Sequence, residues 1–447
     1  MNIVINGGGG VGRAVAHALS SERHDVTVIE PSAAQGRTVE EVVDCHVVTG
    51  NGALPPVLRQ AGVGDADIFV AVTDRDEVNL LSCLIARRLG CPRAIARVRD
   101  RAFTVADRAV PMDDLGIEQV INPDAEASRE IIRLLRNPGT TEVFPLAGGA
   151  AVIAGMPVAE GSALCGPTLA ELQQMHTHLL YRVAVIRRQD QVSVPTGQDH
   201  IEPGDQIFVI AEPETVEKIG RMAGAIGQQP IDRAMVLGAN DLGQSVASLL
   251  QGTCRVTLVG GGQEDLTQAS EELTQTLVIQ SQDHDLDLLE REGLAQMDAF
   301  VAVTDDEEMN LITCLSAKRM GVPRTIARVE RPFYRPLIEG LGVDAAVSAR
   351  QATVNAILKY LRTGHIHSVA QMRGVPAEAL DFEADRGAKI LDRPLREIRF
   401  PRGAMAGMVV RPEGVIVPTG DTCIRQGDHV IVFALHGAVR KVQKLFS

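Results

Sequence analysis

The first feature of the chain with chemical potential is a glycine-rich loop near its start. Gly7, Gly9 and Gly12 follow the apolar run Asn2–Asn6 at the spacing G-x-G-x-x-G. Glycines at this spacing let the backbone turn tightly from a strand into a helix, and they let a pyrophosphate approach the helix N-terminus. Such a loop is a weak signal alone, so it predicts a nucleotide site only with support from other residues.

A carboxylate at the end of the next predicted strand gives that support. Glu30 closes the apolar run Val26–Glu30, which follows the glycine loop and the first predicted helix. In dinucleotide-binding folds an acid about 20 residues after the loop accepts hydrogen bonds from ribose hydroxyls, and its charge disfavours a 2′-phosphate. The combination favours NAD(H) or another adenine nucleotide over NADP. The structural alternative is a tight strand–helix turn followed by an exposed acid.

Polar loops follow two more predicted strands, at the edge where ligands of open α/β sheets bind. Thr49-Gly-Asn51-Gly52 comes after the third strand, and Thr73-Asp74 comes after the fourth. Their hydroxyl and amide groups suit an adenine or ribose edge. Turn formation is the alternative for both loops. Asn79, one turn into the next predicted helix, has helix capping as its alternative.

Two arginines offer planar donors for phosphate. Arg97 ends the fifth predicted strand, and Arg13 lies at the start of the first predicted helix. A guanidinium binds phosphate oxygens with a rigid fork of N–H groups. A surface ion pair is an equally good explanation of Arg13. The candidate nucleotide-binding residues of this region are Gly7, Gly8, Gly9, Gly10, Val11, Gly12, Glu30, Asn51, Thr73, Asp74 and Arg97.

The same pattern recurs in the second half of the chain. Val70–Asn79 is repeated as Val301–Asn310, and Ile95–Val98 is repeated at the same offset as Ile326–Val329. A constant offset between several motifs indicates a duplicated domain. Function is therefore to be sought in what the two copies share and where they differ.

The second copy lacks parts of the nucleotide set. Asn240 replaces the glycine of closest approach, and Asp241 adds a negative charge beside it. Gly260 aligns with Glu30, so no carboxylate is available for a ribose. Poor binding of a nucleotide, binding of a different nucleotide and a structural role stay open for this lobe. We predict a degenerate second site, whose candidate residues are Gly238, Ala239, Asn240, Asp241, Leu242 and Arg328.

The elements that position these residues alternate between strands and helices. Six strand-like runs are separated by segments with helical spacing, such as residues 78–89. Buried strands in this arrangement form a parallel sheet with right-handed crossover helices on both faces. The predicted fold class is α/β, with two tandem Rossmann-type doubly wound parallel sheets, each followed by a small α+β C-lobe. The predicted strands are 2–6, 26–30, 46–49, 67–73, 94–98 and 118–121.

The small lobes are duplicated as well. Val194-Pro-Thr-Gly197 recurs as Val417-Pro-Thr-Gly420, and Gly204-Asp205 recurs at the same offset as Gly427-Asp428. The predicted domain seam is Gln228–Pro230. The predicted domains are N-lobe 1 at 1–137, C-lobe 1 at 140–227, N-lobe 2 at 231–362 and C-lobe 2 at 366–447.

Composition excludes several classes of function. A formal net charge of -13 argues against a nucleic-acid partner bound through its phosphates. Seven cysteines without a C-x-x-C pair argue against a disulfide framework or a zinc ribbon. The run Val143–Ala159 is uncharged but shorter than the roughly 20 residues of a membrane-spanning helix. A membrane role therefore requires a partner, and the strand-like start predicts no secretory signal.

Catalytic motifs find little support. His176 with His178, and His365 with His367, would pair imidazoles on one strand face, but no third ligand is near in sequence. The chain has no G-x-S-x-G, P-loop or H-E-x-x-H motif. We predict no enzyme activity, no catalytic residue and no metal site. A soluble NAD-dependent oxidoreductase and a structural scaffold with empty Rossmann lobes stay open as alternatives.

The whole arrangement resembles the TrkA family of Trk potassium-uptake systems. The resemblance rests on the glycine loop, Glu30, Thr73-Asp74-x-x-Glu77-x-Asn79 and Ile95-Ala-Arg97-Val98, and on the lobe order. Members of this family are peripheral subunits with two tandem regulator-of-potassium-conductance modules, and the resemblance covers essentially the whole chain. Glu30 stands where the family more often has Asp, a difference of one methylene that we expect to be tolerated.

The resemblance implies a cytoplasmic NAD(H)-binding gating subunit rather than an enzyme, with ATP or ADP as further candidate ligands. It implies a homo-oligomeric ring, peripheral on the cytoplasmic face of the inner membrane. The implied partner is a potassium-translocating integral membrane subunit, TrkH-like or TrkG-like. The nucleotide roles that carry over fall on Gly7, Gly9, Gly12, Glu30, Thr73, Asp74 and Arg97.

Overall fold

The fold is taken from a computed structural model. The residues it describes are 1–21, 23–103, 111–137, 139–189, 191–224, 231–281, 285–331, 334, 338, 341–361, 366–372, 375 and 377–446. The predicted seam at Gln228–Pro230 and the side chain of His365 lie outside these residues.

The first sheet has six parallel strands in the order β3-β2-β1-β4-β5-β6. The strand order reverses between β1 and β4, and in such sheets ligands bind in the crevice at the carboxyl ends of the reversing strands. Each observed strand lies within two residues of its predicted bounds. The strands are β1 (Asn2–Asn6), β2 (Asp25–Glu30), β3 (His46–Thr49), β4 (Ile68–Ala71), β5 (Ala94–Arg97) and β6 (Gln119–Ile121).

Helices pack on both faces of this sheet. They are α1 (Gly10–Ser21), α2 (Ala33–Val42), α3 (Pro55–Gln60) and α4 (Asp76–Leu89), and the next helix along the chain is α5 (Pro123–Arg136). In α4 the buried residues Leu80, Cys83 and Ala86 recur every third position and face the sheet. Gly90 ends α4 because its φ of +114° is a left-handed conformation that glycine adopts freely.

A small antiparallel sheet follows, in the order β10-β9-β11-β8-β7. Its elements are β7 (Glu142–Leu146), β8 (Ala151–Pro157), α6 (Leu169–Met175), β9 (Tyr181–Arg188), β10 (Gln191–Ser193), β11 (Gln206–Ala211) and α7 (Pro213–Met222). Arg188 donates from Nε and Nη2 to the buried carboxylate of Asp205, at 2.8 and 2.9 Å. This two-pronged pair fixes the turn before β11.

The second parallel sheet repeats the first, in the order β14-β13-β12-β15-β16-β17. Its elements are β12 (Arg233–Leu237), α8 (Asp241–Leu250), β13 (Arg255–Gly260), α9 (Gln263–Glu272), β14 (Thr276–Gln280), α10 (Leu286–Arg291), β15 (Ala299–Ala302), α11 (Glu307–Arg319), β16 (Arg324–Arg328), β17 (Ala345–Val347) and α12 (Ala349–Leu361). The shared strand order confirms the predicted duplication of a Rossmann-type fold.

The last sheet is antiparallel, in the order β18-β19-β22-β20-β21. Its elements are β18 (Ile366–Gln371), β19 (Ala377–Glu383), β20 (Ala404–Arg411), β21 (Gly414–Ile416), β22 (His429–Leu435) and α13 (Val439–Gln443). Arg411 repeats the earlier pairing with a buried acid, here Asp428 at 2.9 Å. The two small sheets share one hydrophobic core, which includes Phe208 and Phe433.

The chain divides into two compact units that do not follow its linear order. One unit contains Met1–Ala127 and Ser348–Leu361, and the other contains Ser128–Val347 and Arg362–Ser447. Helix α12 therefore belongs with the first parallel sheet although it follows the second. Conversely, α5 from Ser128 onward belongs with the second sheet. We call α5 and α12 the exchanged helices.

Equivalent arginines hold the ends of the exchanged helices. Arg93, just before β5, donates from Nη2 to the carbonyl oxygen of Tyr360 near the end of α12, at 2.8 Å. Its counterpart in the second copy, Arg324, donates to the carbonyl oxygens of Leu134 and Asn137 at the end of α5. Burial lowers the pKa of Arg324 to about 10, so its guanidinium is still charged at neutral pH. The C-terminus of a helix is the negative end of its dipole, so cationic donors such as these arginines stabilise it.

Candidate nucleotide-binding site

The first glycine loop has a geometry that larger residues would not permit. Gly7 has a φ of +116°, and a methyl group added to it would lie 3.0 Å from the amide nitrogen of Thr73. A methyl group on Gly12 would lie 1.8 Å from the carbonyl oxygen of Gly7. The amide of Gly7 donates to the carbonyl of Ile29 at 2.9 Å, which ties the loop to β2. The loop is therefore a narrow, open backbone cradle between β1 and the start of α1.

Glu30 lies directly against this loop. Its carboxylate accepts hydrogen bonds from the amide of Gly8 at 2.9 Å and from the amide of Ser32 at 3.0 Å. Only 7% of the residue is exposed, so the exposed-acid alternative is wrong. A carboxylate has about four acceptor sites, so two backbone donors leave capacity for ribose hydroxyls. The geometry fits the ribose-binding acid of a dinucleotide fold.

Asn79 organises the ends of β4 and β5. Its Oδ1 accepts from the amide and hydroxyl of Thr73, at 2.9 and 2.7 Å. Its Nδ2 donates to the carbonyls of Thr73 and Arg97, at 3.1 and 2.9 Å. The side chain is fully buried and its polar atoms are bonded within the lobe. Asn79 is thus a clamp between two loops rather than a simple helix cap.

Arg97 brings positive charge to the end of β5. It donates from Nη1 to the carbonyl of Thr73 at 3.0 Å, while its Nε is buried without a hydrogen-bond partner among the described residues. Burial lowers the pKa of Arg97, and the positive charge of Arg99 lowers it further. A bound anion would relieve both effects, because it would compensate the charge and supply an acceptor.

The remaining candidates of the first lobe are less confined. Asp74 is exposed, and Arg13 is partly exposed on α1. The Oδ1 of Asn51 accepts from the amide of Ala53 at 2.9 Å, as the turn-forming alternative requires. The structure brings the loop containing Asn51 to the same sheet edge as Glu30, but Asn51 itself is exposed.

Asn6 is a polar residue of this site that the sequence reasoning missed. It ends β1, is 1% exposed, and its Nδ2 donates to Ser82 at 3.1 Å. Its Oδ1 is buried without a partner among the described residues, and the backbone of Gly52 lies over it. The corresponding residue of the second copy is Leu237. A polar residue at the end of one copy's central strand, where the other copy is apolar, was the available signal.

The second loop is filled where the first is open. Asn240 caps α8, because its side chain accepts from the amide of Gly243 at 3.1 Å and donates to the carbonyl of Val303 at 2.8 Å. A methyl group on Gly260 would lie 2.5 Å from Cβ of Ala239, so there is no room for a side chain like that of Glu30. Asp241 begins α8 where a phosphate would bind.

The equivalent of Arg97 is neutralised within the second lobe. Arg328 lies 2.7 Å from the carboxylate of Asp305 and 3.6 Å from that of Glu330. In the first lobe the residue corresponding to Glu330 is Arg99, which has the opposite charge. The two lobes therefore share the clamp asparagine, since Asn310 repeats the bonds of Asn79, but they differ in charge at the sheet edge.

Other reactive groups form no further centre in the part of the chain that the structure describes. No three His, Cys, Asp or Glu side chains there are arranged to hold a metal ion. His367 lies 2.7 Å from Glu383, with its ring 5.0 Å from that of His429. No described helix is long and apolar enough to cross a membrane.

Known protein families match the chain in both halves. The sequence profile of the TrkA-N domain matches residues 3–123 and 234–349. The profile of the TrkA-C domain matches residues 153–224 and 380–447. The matches follow the order of the parallel and antiparallel sheets.

Individual proteins align over the whole chain. The Trk system potassium uptake protein TrkA of Halomonas elongata is 32% identical, over 100% of this chain and 99% of its own length. The Trk system potassium uptake protein TrkA homolog 2 of Methanosarcina mazei is 33% identical, over 100% of both chains. The structure of the GsuK channel bound to NAD has a TM-score of 0.60 at 17% identity, over 100% of this chain and 78% of the channel. This last likeness shows the fold.

Proposed function

The chain belongs to the TrkA family, and we propose that it is a nucleotide-binding regulatory subunit of a Trk-type potassium-uptake system. The full-length relatives are named as Trk system potassium-uptake proteins, which supports this role. The observation that carries the nucleotide part is the first glycine loop with Glu30 hydrogen-bonded to it at 2.9 Å.

The proposed ligand is NAD(H), with ATP or ADP as further adenine nucleotides that fit the same donors. The residues proposed to hold it are those of the loop Gly7–Gly12, Glu30 at the ribose, and Thr73, Asp74 and Arg97 at the neighbouring strand ends. Asn51 is included in the proposed set because its loop lies at the same sheet edge as Glu30. The unpartnered Oδ1 of Asn6 supports a ligand with hydrogen-bond donors at this edge. A bound dinucleotide would supply a pyrophosphate charge and ribose hydroxyls.

The second lobe is proposed to be structural or to bind a nucleotide poorly. The amide of Gly243, which a phosphate would need as a donor, already donates a hydrogen bond to Oδ1 of Asn240. Gly238, Ala239, Asp241 and Leu242 shape the same loop, and Arg328 is paired with acids. This difference supports one nucleotide for each chain.

A nucleotide would regulate the protein by contacting several loops of the first lobe at once. A ligand that binds the loops after β1, β2 and β4 together favours whichever packing of the lobe brings them close. Typical coupling free energies of about 1–3 kcal/mol change a linked equilibrium about 5- to 150-fold. The linked equilibrium would be the opening of a potassium-translocating membrane subunit of the TrkH or TrkG kind.

Assembly and location are proposed from the family. The chain would form a homo-oligomeric ring, peripheral on the cytoplasmic face of the inner membrane. Hydride transfer to a substrate is the competing function. It requires an acid–base residue positioned above the nicotinamide, and no such residue is assigned at either glycine loop. The proposed role is therefore binding without turnover.

The test is calorimetric titration of the full chain with NADH, NADPH and ADP. We expect one NADH for each wild-type chain, with NADPH about tenfold weaker, a difference of about 1.4 kcal/mol. Glu30→Gln keeps the size of the side chain but removes the charge that opposes a 2′-phosphate. The affinity gap, meaning the difference in affinity between NADH and NADPH, should therefore close. The control Glu41→Gln removes an exposed acid of the same lobe, on α2, and should leave the gap unchanged. Absence of nucleotide binding, or an unchanged gap in Glu30→Gln, would contradict the proposal.

A further inference from the structure

We propose that Arg350, from the second half of the chain, is a phosphate-binding residue of the nucleotide site in the first lobe. The inference rests on the proposed function, because it names a contact for the phosphates of a nucleotide held by the first glycine loop. It assigns to that loop a cation from α12, which follows the second parallel sheet in the sequence.

The position of the side chain carries the inference. Gly10 is the first residue of α1, and a methyl group added to it would lie 2.9 Å from Nε of Arg350 and 3.1 Å from its Cζ. The arginine therefore crosses directly over the backbone at the N-terminus of α1. This is the place where a G-x-G-x-x-G loop binds a pyrophosphate. Arg350 is exposed, so a ligand entering from solvent can reach it.

The helix that carries Arg350 is held firmly in place. Val354, Ile357 and Leu361 of α12 share a hydrophobic core with Val15 and Leu19 of α1. The far end of α12 is held by the hydrogen bond from Arg93 to the carbonyl of Tyr360. A binding residue on a rigid element keeps its position better than one on a loop. The placement of Arg350 is thus fixed by the packing of α12 along α1.

The charge around the start of α1 also favours a phosphate at this position, unlike the charge at the corresponding position of the second copy. No acidic residue lies in the first turn of α1, so that turn adds no negative charge that would oppose a phosphate. A guanidinium and a diphosphate are matched in charge and geometry. The second copy has an acid at the corresponding position of its loop, because Asp241 corresponds to Gly10 as the first residue of its helix.

The origin of Arg350 gives the contact a regulatory consequence. Only Ser348 separates α12 from β17 of the second parallel sheet, and the second small lobe follows α12 along the chain. A phosphate bound by Arg350 therefore acts on a helix that is covalently continuous with the second half. Nucleotide occupancy of the first lobe would in this way be transmitted to the other half.

The experiment compares ligands with and without phosphates. The full chain is titrated with ADP and NADH by calorimetry, and adenosine is measured by competition. Arg350→Ala should weaken ADP and NADH about tenfold and leave adenosine unchanged, because only the phosphates meet the guanidinium. Arg350→Lys should recover part of the loss. The control Lys359→Ala removes the same charge from an exposed residue of the same helix, about 14 Å further along its axis, and should change nothing.

Each other outcome overturns the inference. If Arg350→Ala binds ADP as tightly as the wild type, the residue makes no phosphate contact, although the proposed function stands. If adenosine weakens equally, the effect is a general disturbance of the lobe. If Lys359→Ala loses as much affinity, the effect is one of net charge. If the wild-type chain binds no nucleotide, the proposed function fails together with this inference.

Discussion

Two asparagines make the same structural hydrogen bonds in the two lobes, although the residues around them differ. Asn79 and Asn310 are both fully buried, and each joins a threonine loop to the end of the next strand by four hydrogen bonds of 2.7–3.1 Å. Their neighbours differ, since Glu30 corresponds to Gly260 and Asn6 to Leu237. The clamp is therefore common to both lobes and independent of the nucleotide.

A structural clamp predicts equal losses of stability in the two lobes. Asn79→Ala and Asn310→Ala should each lower the free energy of unfolding of their lobe by about 2–3 kcal/mol, because an unpaired buried polar group costs about 1–3 kcal/mol. Urea unfolding measures the loss, and Gln35→Ala, an exposed residue of α2, is the control. A loss confined to Asn79→Ala, and present only with nucleotide, would show that the residue serves the ligand instead.

The strands could be predicted from the sequence closely because each is a short apolar run between turn residues. The partner of each exchanged helix could not. Helical spacing shows which residues of α5 and α12 are apolar, but it does not show which sheet they cover. Arg350 was missed for this reason, since its role depends on the packing of α12 against α1. The sequence also left open whether Glu30 is buried, because a residue at a strand end can be either buried or exposed.

The exchanged helices should each depend on one arginine. Arg93→Ala should speed amide hydrogen exchange at the end of α12, and Arg324→Ala at the end of α5, because each change removes a charged donor from the last carbonyls of its helix. Exchange in the other helix should stay as in the wild type. Arg88→Ala, an exposed residue of α4, is the control.

A result that contradicts this assignment is equally clear. If Arg324→Ala leaves exchange at residues 130–136 unchanged while the second lobe stays folded, the arginine does not hold α5. If both variants speed exchange in both helices, the effect is a general loss of stability rather than a local release.

Across the two halves of the chain, duplication supplied two copies of one fold, and divergence gave them different residues at the glycine loop and the strand ends. The repeat offset and the lobe order were readable from the sequence, because both copies keep the clamp and the strand ends. The divergence of the second glycine loop was readable in part, from Asn240 and Gly260. The pairing of Arg328 with Asp305 and Glu330 required the structure, since it depends on side chains from three positions meeting at one edge.

Nucleotide bound in the first lobe is proposed to control potassium transport, and a measurement of potassium flux tests this control. Vesicles containing a Trk-type membrane subunit would be combined with this chain, and the initial rate of potassium entry recorded against NADH concentration. We expect the rate to change several-fold over the range in which NADH saturates the chain. The range should move about tenfold higher for Glu30→Gln and stay unchanged for Glu41→Gln. A rate that is the same at all NADH concentrations, while the wild-type chain binds NADH, would contradict nucleotide control of transport.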